Sequence, residues 1–323
     1  MKQYKVLHVS PTPLVDSPRK ISVALDSYTE FESNHFIFTD YPGSIKGIFS
    51  NNSLLYSTQK DLIHTLIENA DIIHIHNFLY PEQEEIIFNN SKSDTKFVYQ
   101  AHSPLREGPN FVDYVPKMIN FDKRCVVAQY HPRLYSTYTM LPNIVLENPY
   151  LNLIKDSEVP KVLFSPAHKR TGGRWNDKYS NELFIALKSL ESLDKIEMIV
   201  AENYKPFELF QLRKQCHISI DEIVTGAFHQ ISLESLFAGN VTINNSDIFS
   251  KLAMEVTINS REEIPFYKAN NHNIKDKLLF LVQNYELMRE YQLKSFKFAK
   301  TYLQPDKLIN LYTNMYKEVL DNV

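Results

Sequence analysis

Residues 226–244 read GAFHQISLESLFAGNVTIN and contain two of the seven glycines in the chain. The stretch predicts a loop that opens at Gly226, a short helix over 231–238 and a strand over 241–243. Gly239 stands where helices commonly end in a left-handed residue, a conformation that glycine adopts without strain. This succession of loop, helix, glycine and strand predicts one repeat of an α/β fold.

The same alternation recurs along most of the chain. Helical patterns cover residues 60–69 and 180–193, where Ser180 can cap the helix start. A longer helical pattern covers 273–303, and a last amphipathic helix follows Pro305. Short apolar runs between the helices predict buried strands over 6–9, 35–38, 72–75, 97–99, 126–128, 162–164, 196–200, 218–220 and 241–243. Strands and helices at this spacing predict parallel sheets with crossover helices.

The chain length predicts more than one domain. A chain of 323 residues is longer than one compact core usually holds, so two domains of about 150 residues each are expected. Asn148-Pro149 and Pro160 bracket a polar stretch that is suited to a domain boundary. We therefore predict two Rossmann-like domains, an N-terminal domain of residues 1–150 and a second domain of residues 151–304.

Composition argues against several classes of protein. The net charge of -3 gives no reason to expect nucleic acid as a partner. Neither G-x-G-x-x-G nor G-x-x-x-x-G-K-[ST] occurs, which argues against a dehydrogenase or a P-loop enzyme. Cys125 and Cys216 lie in or beside apolar runs and are expected to be buried free thiols, as in a reducing cytoplasm. No stretch approaches the ~18 apolar residues of a membrane span, so we expect a cytoplasmic protein that is at most peripheral to a membrane.

The loop and helix of residues 226–238 also predict a ligand site. In an open parallel sheet, ligands bind beyond the carboxyl ends of the strands, where this loop and the helix start project. The free N–H groups of a helix start suit a diphosphate, and Glu234 can accept hydrogen bonds from two ribose hydroxyls. The alternative is that Glu234 is a solvated acid on an amphipathic helix.

The segment SLESLFAGNVTI (232–243) resembles the donor-site motif of the retaining GT-B glycosyltransferases, in which two glutamates are separated by seven residues. Glu234 matches the second glutamate, which holds the nucleotide ribose in that family. Gly226 occupies the position of the first, and Asp221 and Glu222 just upstream are candidates to replace its contact with the donor sugar. The resemblance implies that the same loop and helix start bind the nucleotide through Gly226, Phe228, His229, Gln230 and Ile231.

The segment VLFSPAHKRTGGRWNDKYSNELFIALKSL (162–190) is similar to the strand, basic loop and helix that open the nucleotide-binding domain of that family. The family places an arginine and a lysine here to clasp the donor diphosphate, which implies Arg170 and Lys178 as catalytic residues. Fixed cations suit this step because the leaving diphosphate gains negative charge. A merely solvated basic loop is the alternative. Three neighbours are expected to contact the donor as well: Lys169, Gly173 and Arg174.

In the first domain, ADIIHIHN (70–77) and FVYQAHSPLREG (97–108) resemble two strand ends that face the cleft in the same family. His102 lies where the family has a cleft histidine near the transferred sugar, which implies a catalytic role. Strand alternation puts His74 and His76 on one side of a strand. A zinc site would need a third ligand, and none has recognisable spacing, so no metal site is predicted. The alternative for all three histidines is a place in the core or the cleft wall.

The resemblance implies the GT-B architecture, with residues 305–323 forming a helix that crosses back to the first domain. It also implies a metal-independent hexosyltransferase that uses a nucleotide-sugar donor, such as a UDP- or GDP-sugar, with retention and without a cofactor. The absence of an Asp-x-Asp pair fits charge neutralisation by basic residues. The expected acceptor is a glycan or a lipid-linked glycan in bacterial surface polysaccharide or lipopolysaccharide biosynthesis, at the inner face of the cell membrane.

Two other functions remain open at this stage. One is a nucleotide-sugar hydrolase or epimerase of the same fold, which would need a general acid or base such as Asp113 or Glu107. The other is a non-catalytic module that binds a glycan. The sequence leaves open the donor base, the sugar, the linkage and the oligomeric state.

Overall fold

The computed structural model describes residues 4–40, 53–103, 115–132, 135–164, 180–201 and 204–321. The chain divides into two compact units. Unit 1 comprises Met1–Leu146 and Pro305–Val323, and unit 2 comprises Glu147–Gln304. Each unit is built on a parallel sheet whose strands alternate with helices, so the predicted α/β class is confirmed.

The described part of unit 1 holds a seven-stranded sheet in the order β3-β2-β1-β4-β5-β6-β7, and each neighbouring pair is parallel. The strands are β1 (Tyr4–Ser10), β2 (Phe31–Ile37), β3 (Leu54–Leu55), β4 (Ile72–His76), β5 (Lys96–Ala101), β6 (Lys123–Val127) and β7 (Thr139–Leu141). The helices of this unit are α1 (Ser17–Tyr28), α2 (Lys60–Asn69), α3 (Pro81–Asn90) and α10 (Pro305–Asp321). The strand order reverses between β1 and β4, which makes this pair the topological switch point of the sheet.

The two faces of the unit 1 sheet differ in polarity. Alternate residues of β1, β2 and β4 form an apolar core with α2 that includes Leu7, Val9, Phe36, Ile63, Ile67, Ile73 and Ile75. The other face carries buried polar groups that bond to α10. Tyr312 Oη of α10 accepts from Gln100 Nε2 at 3.1 Å and donates to the Pro142 carbonyl at 2.8 Å. These bonds join the last helix to the sheet of unit 1.

The described part of unit 2 holds a five-stranded parallel sheet in the order β12-β11-β10-β8-β9. Its strands are β8 (Lys161–Phe164), β9 (Glu197–Val200), β10 (Ile218–Ile220), β11 (Val241–Asn244) and β12 (Phe266–Lys268). Its helices are α4 (Asn181–Glu191), α5 (Pro206–Lys214), α6 (Gln230–Phe237), α7 (Ile248–Thr257), α8 (Ile274–Val282) and α9 (Tyr285–Tyr302). Apolar side chains of the strands form one core with α4, α8 and α9.

Most predicted elements are present, with three differences. The helix predicted over 60–69 is confirmed, and Ser180 Oγ accepts from Leu183 N at 3.0 Å as the cap of α4. The single helix predicted over 273–303 is wrong, because the chain breaks after α8 and Asn284 caps the start of α9. The helix predicted over 180–193 ends earlier, at Glu191, and Leu193 beyond it is exposed. The short strands β3, β7 and β12 were not predicted.

Two further features concern the thiols and the membrane. Cys125 and Cys216 are free and buried, as predicted. Among the residues that the structure describes, no helix has the length and apolar character needed to cross a membrane.

Candidate active site

The strand order of unit 2 marks where a ligand is expected to bind. The order reverses between β8 and β10, so the crevice at the carboxyl ends of these two strands is the topological switch point. The loop of residues 221–229 leaves β10 at this end and leads into α6. The segment that the sequence singles out as a donor site therefore lies at the position where open α/β sheets bind ligands.

Asp221, the first residue after β10, holds the start of α6. Its carboxylate accepts hydrogen bonds from His229 N at 2.7 Å and Ser232 Oγ at 2.8 Å, and its other oxygen lies 3.2 Å from His229 Nδ1. The side chain of Asp221 is 3% exposed. Its charge already complements the positive end of the helix dipole. A diphosphate bound nearby would therefore require cations in addition to the backbone N–H groups.

Replacing Asp221 by Asn is expected to reduce the acid sensitivity of folding. Burial alone raises the pKa of Asp221, but His229 and the hydrogen bonds from His229 and Ser232 outweigh it, so the pKa lies below its ordinary value. Such a carboxyl adds stability above its unfolded pKa of about 3.9, and this stability is lost as the pH falls through the folded value. Urea unfolding from about pH 7 to about pH 3 should show a shallower decline for Asp221→Asn than for the wild type. Equal slopes would contradict this assignment.

Glu222 and Gly226 shape the loop itself. Glu222 Oε2 accepts from the backbone N–H groups of Val224 at 3.0 Å and Thr225 at 2.7 Å, and the residue is buried. Gly226 has a φ of +77°, and its carbonyl accepts from Asp247 N at 2.9 Å. Asp221 and Glu222, the candidates to replace the missing first glutamate, are thus both engaged in holding this loop.

Glu234 is buried, at 4% exposure, so the alternative of a solvated acid is wrong. Its Oε2 lies 3.4 Å from Nε of Arg213, a residue of α5 that is itself 1% exposed. No pattern in the sequence marks this ion pair, because Arg213 precedes Glu234 by twenty-one positions and occurs in an ordinary helical pattern.

The other predicted nucleotide-binding residues differ in what they offer. Phe228 is fully buried and packs on Phe266 with ring centroids 5.0 Å apart, so its side chain belongs to the core. Gln230 is buried at the first position of α6, whereas His229 and Ile231 are partly exposed. Of the side chains at the start of α6, His229 is therefore the polar one that a ligand can reach.

In unit 1, His102 directly follows β5 and is partly exposed. Its Nε2 lies 2.7 Å from Nδ1 of His76, and its backbone N–H donates to Asn77 Oδ1 at 2.5 Å. His74 and His76 lie on one side of β4, as predicted, with ring centroids 4.2 Å apart. Their buried neighbour is His8 of β1, so a third histidine does stand beside the pair. The sequence could not show that His8 lies beside this pair, because only the pairing of β1 with β4 in the folded sheet places it there.

Comparison with known proteins identifies the fold. A scan against protein-family models and a search of curated protein sequences both give no match. Among solved structures, an alpha-glucosyltransferase in complex with UDP-glucose and DNA containing an abasic site aligns with a TM-score of 0.62 at 9% identity, covering 98% of this chain and 99% of that chain. Sucrose-phosphate synthase from Thermosynechococcus elongatus aligns with a TM-score of 0.60 at 10% identity, covering 99% and 100%. Anabaena HepE in complex with UDP aligns with a TM-score of 0.60 at 10% identity, covering 97% of this chain and 100% of that chain.

The chain has the GT-B fold. The alignments extend over nearly the whole of this chain and of each matched chain, so the likeness includes both units and is not confined to one Rossmann-like sheet. At sequence identities of 9% and 10%, these alignments show a shared fold and do not assign a role to any residue.

One set of candidate residues of this GT-B chain lies outside the described residues. The basic segment that follows β8 contains Lys169, Arg170, Gly173, Arg174 and Lys178. Glu107 and Asp113, the candidate acids of the alternative hydrolase, also lie outside them. The roles of these seven residues stay predictions.

Proposed function

We propose that this chain is a glycosyltransferase that transfers a sugar from a nucleotide-sugar donor, such as a UDP- or GDP-sugar, to a glycan or lipid-linked glycan. The observation that carries the proposal is the loop of residues 221–229 and the start of α6 at the switch point of unit 2 in a GT-B fold. The proposal is supported by the solved GT-B structures that contain UDP or UDP-glucose. We further propose transfer with retention, in bacterial surface polysaccharide or lipopolysaccharide biosynthesis.

We assign the nucleotide to the start of α6. Glu234, buried beside Arg213 one turn into α6, accepts hydrogen bonds from the ribose hydroxyls. His229, held by Asp221 at the helix start, lies beside the donor phosphates. Gly226 supplies the left-handed turn that brings the loop to this position.

Cations are required at this site because Asp221 already places a negative charge at the helix end. We assign this role to Arg170 and Lys178, with Lys169, Gly173 and Arg174 as further contacts. They stabilise the diphosphate as the glycosidic bond breaks and negative charge develops on it. We propose no metal ion in this step.

The chemistry follows from holding donor and acceptor together. In a retaining transfer, the acceptor hydroxyl attacks the face that the nucleotide leaves, and the departing phosphate accepts its proton. No protein nucleophile is needed, so the residues act by positioning and by electrostatics. His102, at the carboxyl end of β5, is our candidate for a contact to the sugar.

Nucleotide binding is expected to raise the thermal stability of the protein without added metal. Ligand at about 100 times its dissociation constant stabilises the folded state by about 2.7 kcal/mol. A thermal-shift series with UDP, GDP, ADP and their sugar conjugates should give a rise with one base only. Lys178→Ala should weaken this shift, whereas Lys188→Ala is the matched control, because Lys188 pairs with Glu191 on the exposed surface of α4.

The acceptor is tested next with the base and sugar that bind. Transfer to a glycan or lipid-linked glycan supports the proposal, whereas free sugar without any acceptor supports a hydrolase. A DNA acceptor is included because three of the similar structures, all of an alpha-glucosyltransferase, contain DNA, although the net charge of -3 argues against a phosphate-rich partner. If no nucleotide shifts the transition, with or without a divalent ion, the result favours a non-catalytic module over a transferase.

A further inference from the structure

Five of the eleven histidines in the chain lie together in unit 1. Parallel pairing of β2, β1 and β4 places His35, His8 and His74 side by side, and His76 and His102 follow toward the carboxyl ends of β4 and β5. Burial lowers the pKa of each ring, to about 3 for His8 and His102, so all five are neutral near pH 7. Neutral imidazoles can both donate and accept hydrogen bonds.

Three of these rings form a continuous hydrogen-bonded chain. His8 Nδ1 lies 2.9 Å from His76 Nε2, and His76 Nδ1 lies 2.7 Å from His102 Nε2. A neutral imidazole has one N–H and one lone pair, so His76 must donate to one neighbour and accept from the other. The direction of the first hydrogen bond therefore fixes the direction of the second.

The inner end of the chain selects this direction. Among the described residues, the buried Nε2 of His8 has no hydrogen-bond partner. Buried N–H groups without an acceptor are rarer in proteins than acceptors without a donor. His8 therefore keeps its proton on Nδ1 and donates to His76, and His76 donates from Nδ1 to Nε2 of His102. His102 must then carry its own proton on Nδ1.

We propose that His8 and His76 are positioning residues that hold His102 in one tautomer, as a hydrogen-bond donor from Nδ1 to a hydroxyl oxygen of the sugar substrate. The backbone supports this arrangement, because Asn77 Oδ1 accepts the His102 N–H from a left-handed turn with a φ of 65°. The carboxyl end of β5, where His102 lies, is the edge of the sheet at which ligands bind. The contact with sugar rests on the proposed function, whereas the tautomer of His102 does not.

Ring geometry favours this relay over a metal centre. Ligand atoms of His8, His74 and His76 lie within 4.8 Å of one another, which is close enough for a metal ion to be considered. However, the rings of His74 and His76 stack with an angle of only 22° between their planes. Their lone pairs therefore lie in two nearly parallel planes that are offset from each other, whereas the ligands of a tetrahedral metal site converge on one point. Both nitrogens of His76 are also engaged by other rings.

Long-range nitrogen-15 NMR of the full-length protein labelled at histidine tests the relay, because it distinguishes the two neutral tautomers. The wild type is expected to show His102 protonated on Nδ1 alone, with the signals assigned by comparison with His102→Gln. In His8→Gln, the amide can donate to Nε2 of His76 or accept a hydrogen bond from it, so the direction of the hydrogen-bonded chain is no longer fixed. The His102 signals should then shift toward a mixture of tautomers, and His8→Asn repeats the test if His8→Gln does not fold.

His74→Phe is the matched control. His74 is as buried as His8 and stacks on His76, but its hydrogen bond is to Tyr316 Oη at 2.6 Å and not to the relay. Phenylalanine keeps the stacked ring, so His102 should retain a single tautomer. A packing effect without a relay would instead disturb His102 equally in both variants.

Sugar transfer supplies the second readout. His8→Gln should lower kcat about threefold to tenfold, the range of one lost hydrogen bond, while the thermal shift by the nucleotide is retained. His74→Phe should leave kcat unchanged. A mixed His102 tautomer in the wild type, an unchanged one in the folded His8 variants, or a stoichiometric metal ion lost on His8→Gln would overturn the relay. Absence of any transfer would refute the proposed function and leave the NMR result to decide the relay.

Discussion

Replacing Arg213 by Met is expected to lower the free energy of unfolding by about 3–5 kcal/mol. Arg213 and Glu234 are 1% and 4% exposed, and Nε of the arginine lies 3.4 Å from Oε2 of the glutamate. Removing Arg213 takes the arginine charge away from the Glu234 carboxylate in a medium that solvates a charge poorly. The loss should therefore exceed that of the apolar contacts, which methionine largely retains. Urea unfolding of the two proteins at about pH 7 measures it.

Two comparisons isolate the charge from the packing. Glu234→Gln on the Arg213→Met background should recover part of the lost stability, because it removes a buried charge that no longer faces the arginine. Lys294→Met is the matched surface substitution, since Lys294 pairs with Glu290 on an exposed helix face, and it should cost about 0.5 kcal/mol or less. If Arg213→Met costs no more than Lys294→Met, the buried pair does not contribute as the structure indicates.

Local signals in the sequence predicted much of unit 2. The helix predicted over 231–238 is observed as Gln230–Phe237, and the glycine stop at Gly239 has a φ of +65°. These features depend on residues that are close in the chain, such as the helical spacing and the glycine that can adopt a left-handed φ. The break before α9 was missed because the apolar pattern continues across Gln283 and Asn284, although Asn284 is a good cap.

What the sequence did not reveal depends on residues that are distant in the chain. Arg213 faces Glu234 only because α5 leads into β10 and α6 leaves it, and no local pattern marks the pair. His8 joins His76 across the β1 and β4 pairing, with 68 positions between them. The edge strand β3 has two residues and β7 and β12 have three each, which is too short for a period-two pattern to stand out.

Gly239→Ala is expected to lower the free energy of unfolding by about 3 kcal/mol, from left-handed strain and overpacking together. A Cβ at this position would lie 2.5 Å from the Tyr150 carbonyl oxygen and 3.2 Å from Leu151 Cα. The Tyr150 peptide cannot simply retreat, because its N–H donates to the Phe237 carbonyl at the end of α6 at 2.7 Å. Thermal and urea unfolding measure the loss.

Gly226→Ala separates the two causes of this loss. Gly226 also has a left-handed backbone, with a φ of +77°, so its substitution reports the strain of that conformation, about 1–2 kcal/mol. The excess cost of Gly239→Ala then measures the close approach of residues 150–151 to the end of α6. Because α6 carries Glu234 and begins at the candidate donor site, this approach fixes where the helix ends and hence where its start lies. Equal losses of unfolding free energy for the two substitutions would show that residues 150–151 do not approach Gly239 as closely as the structure indicates.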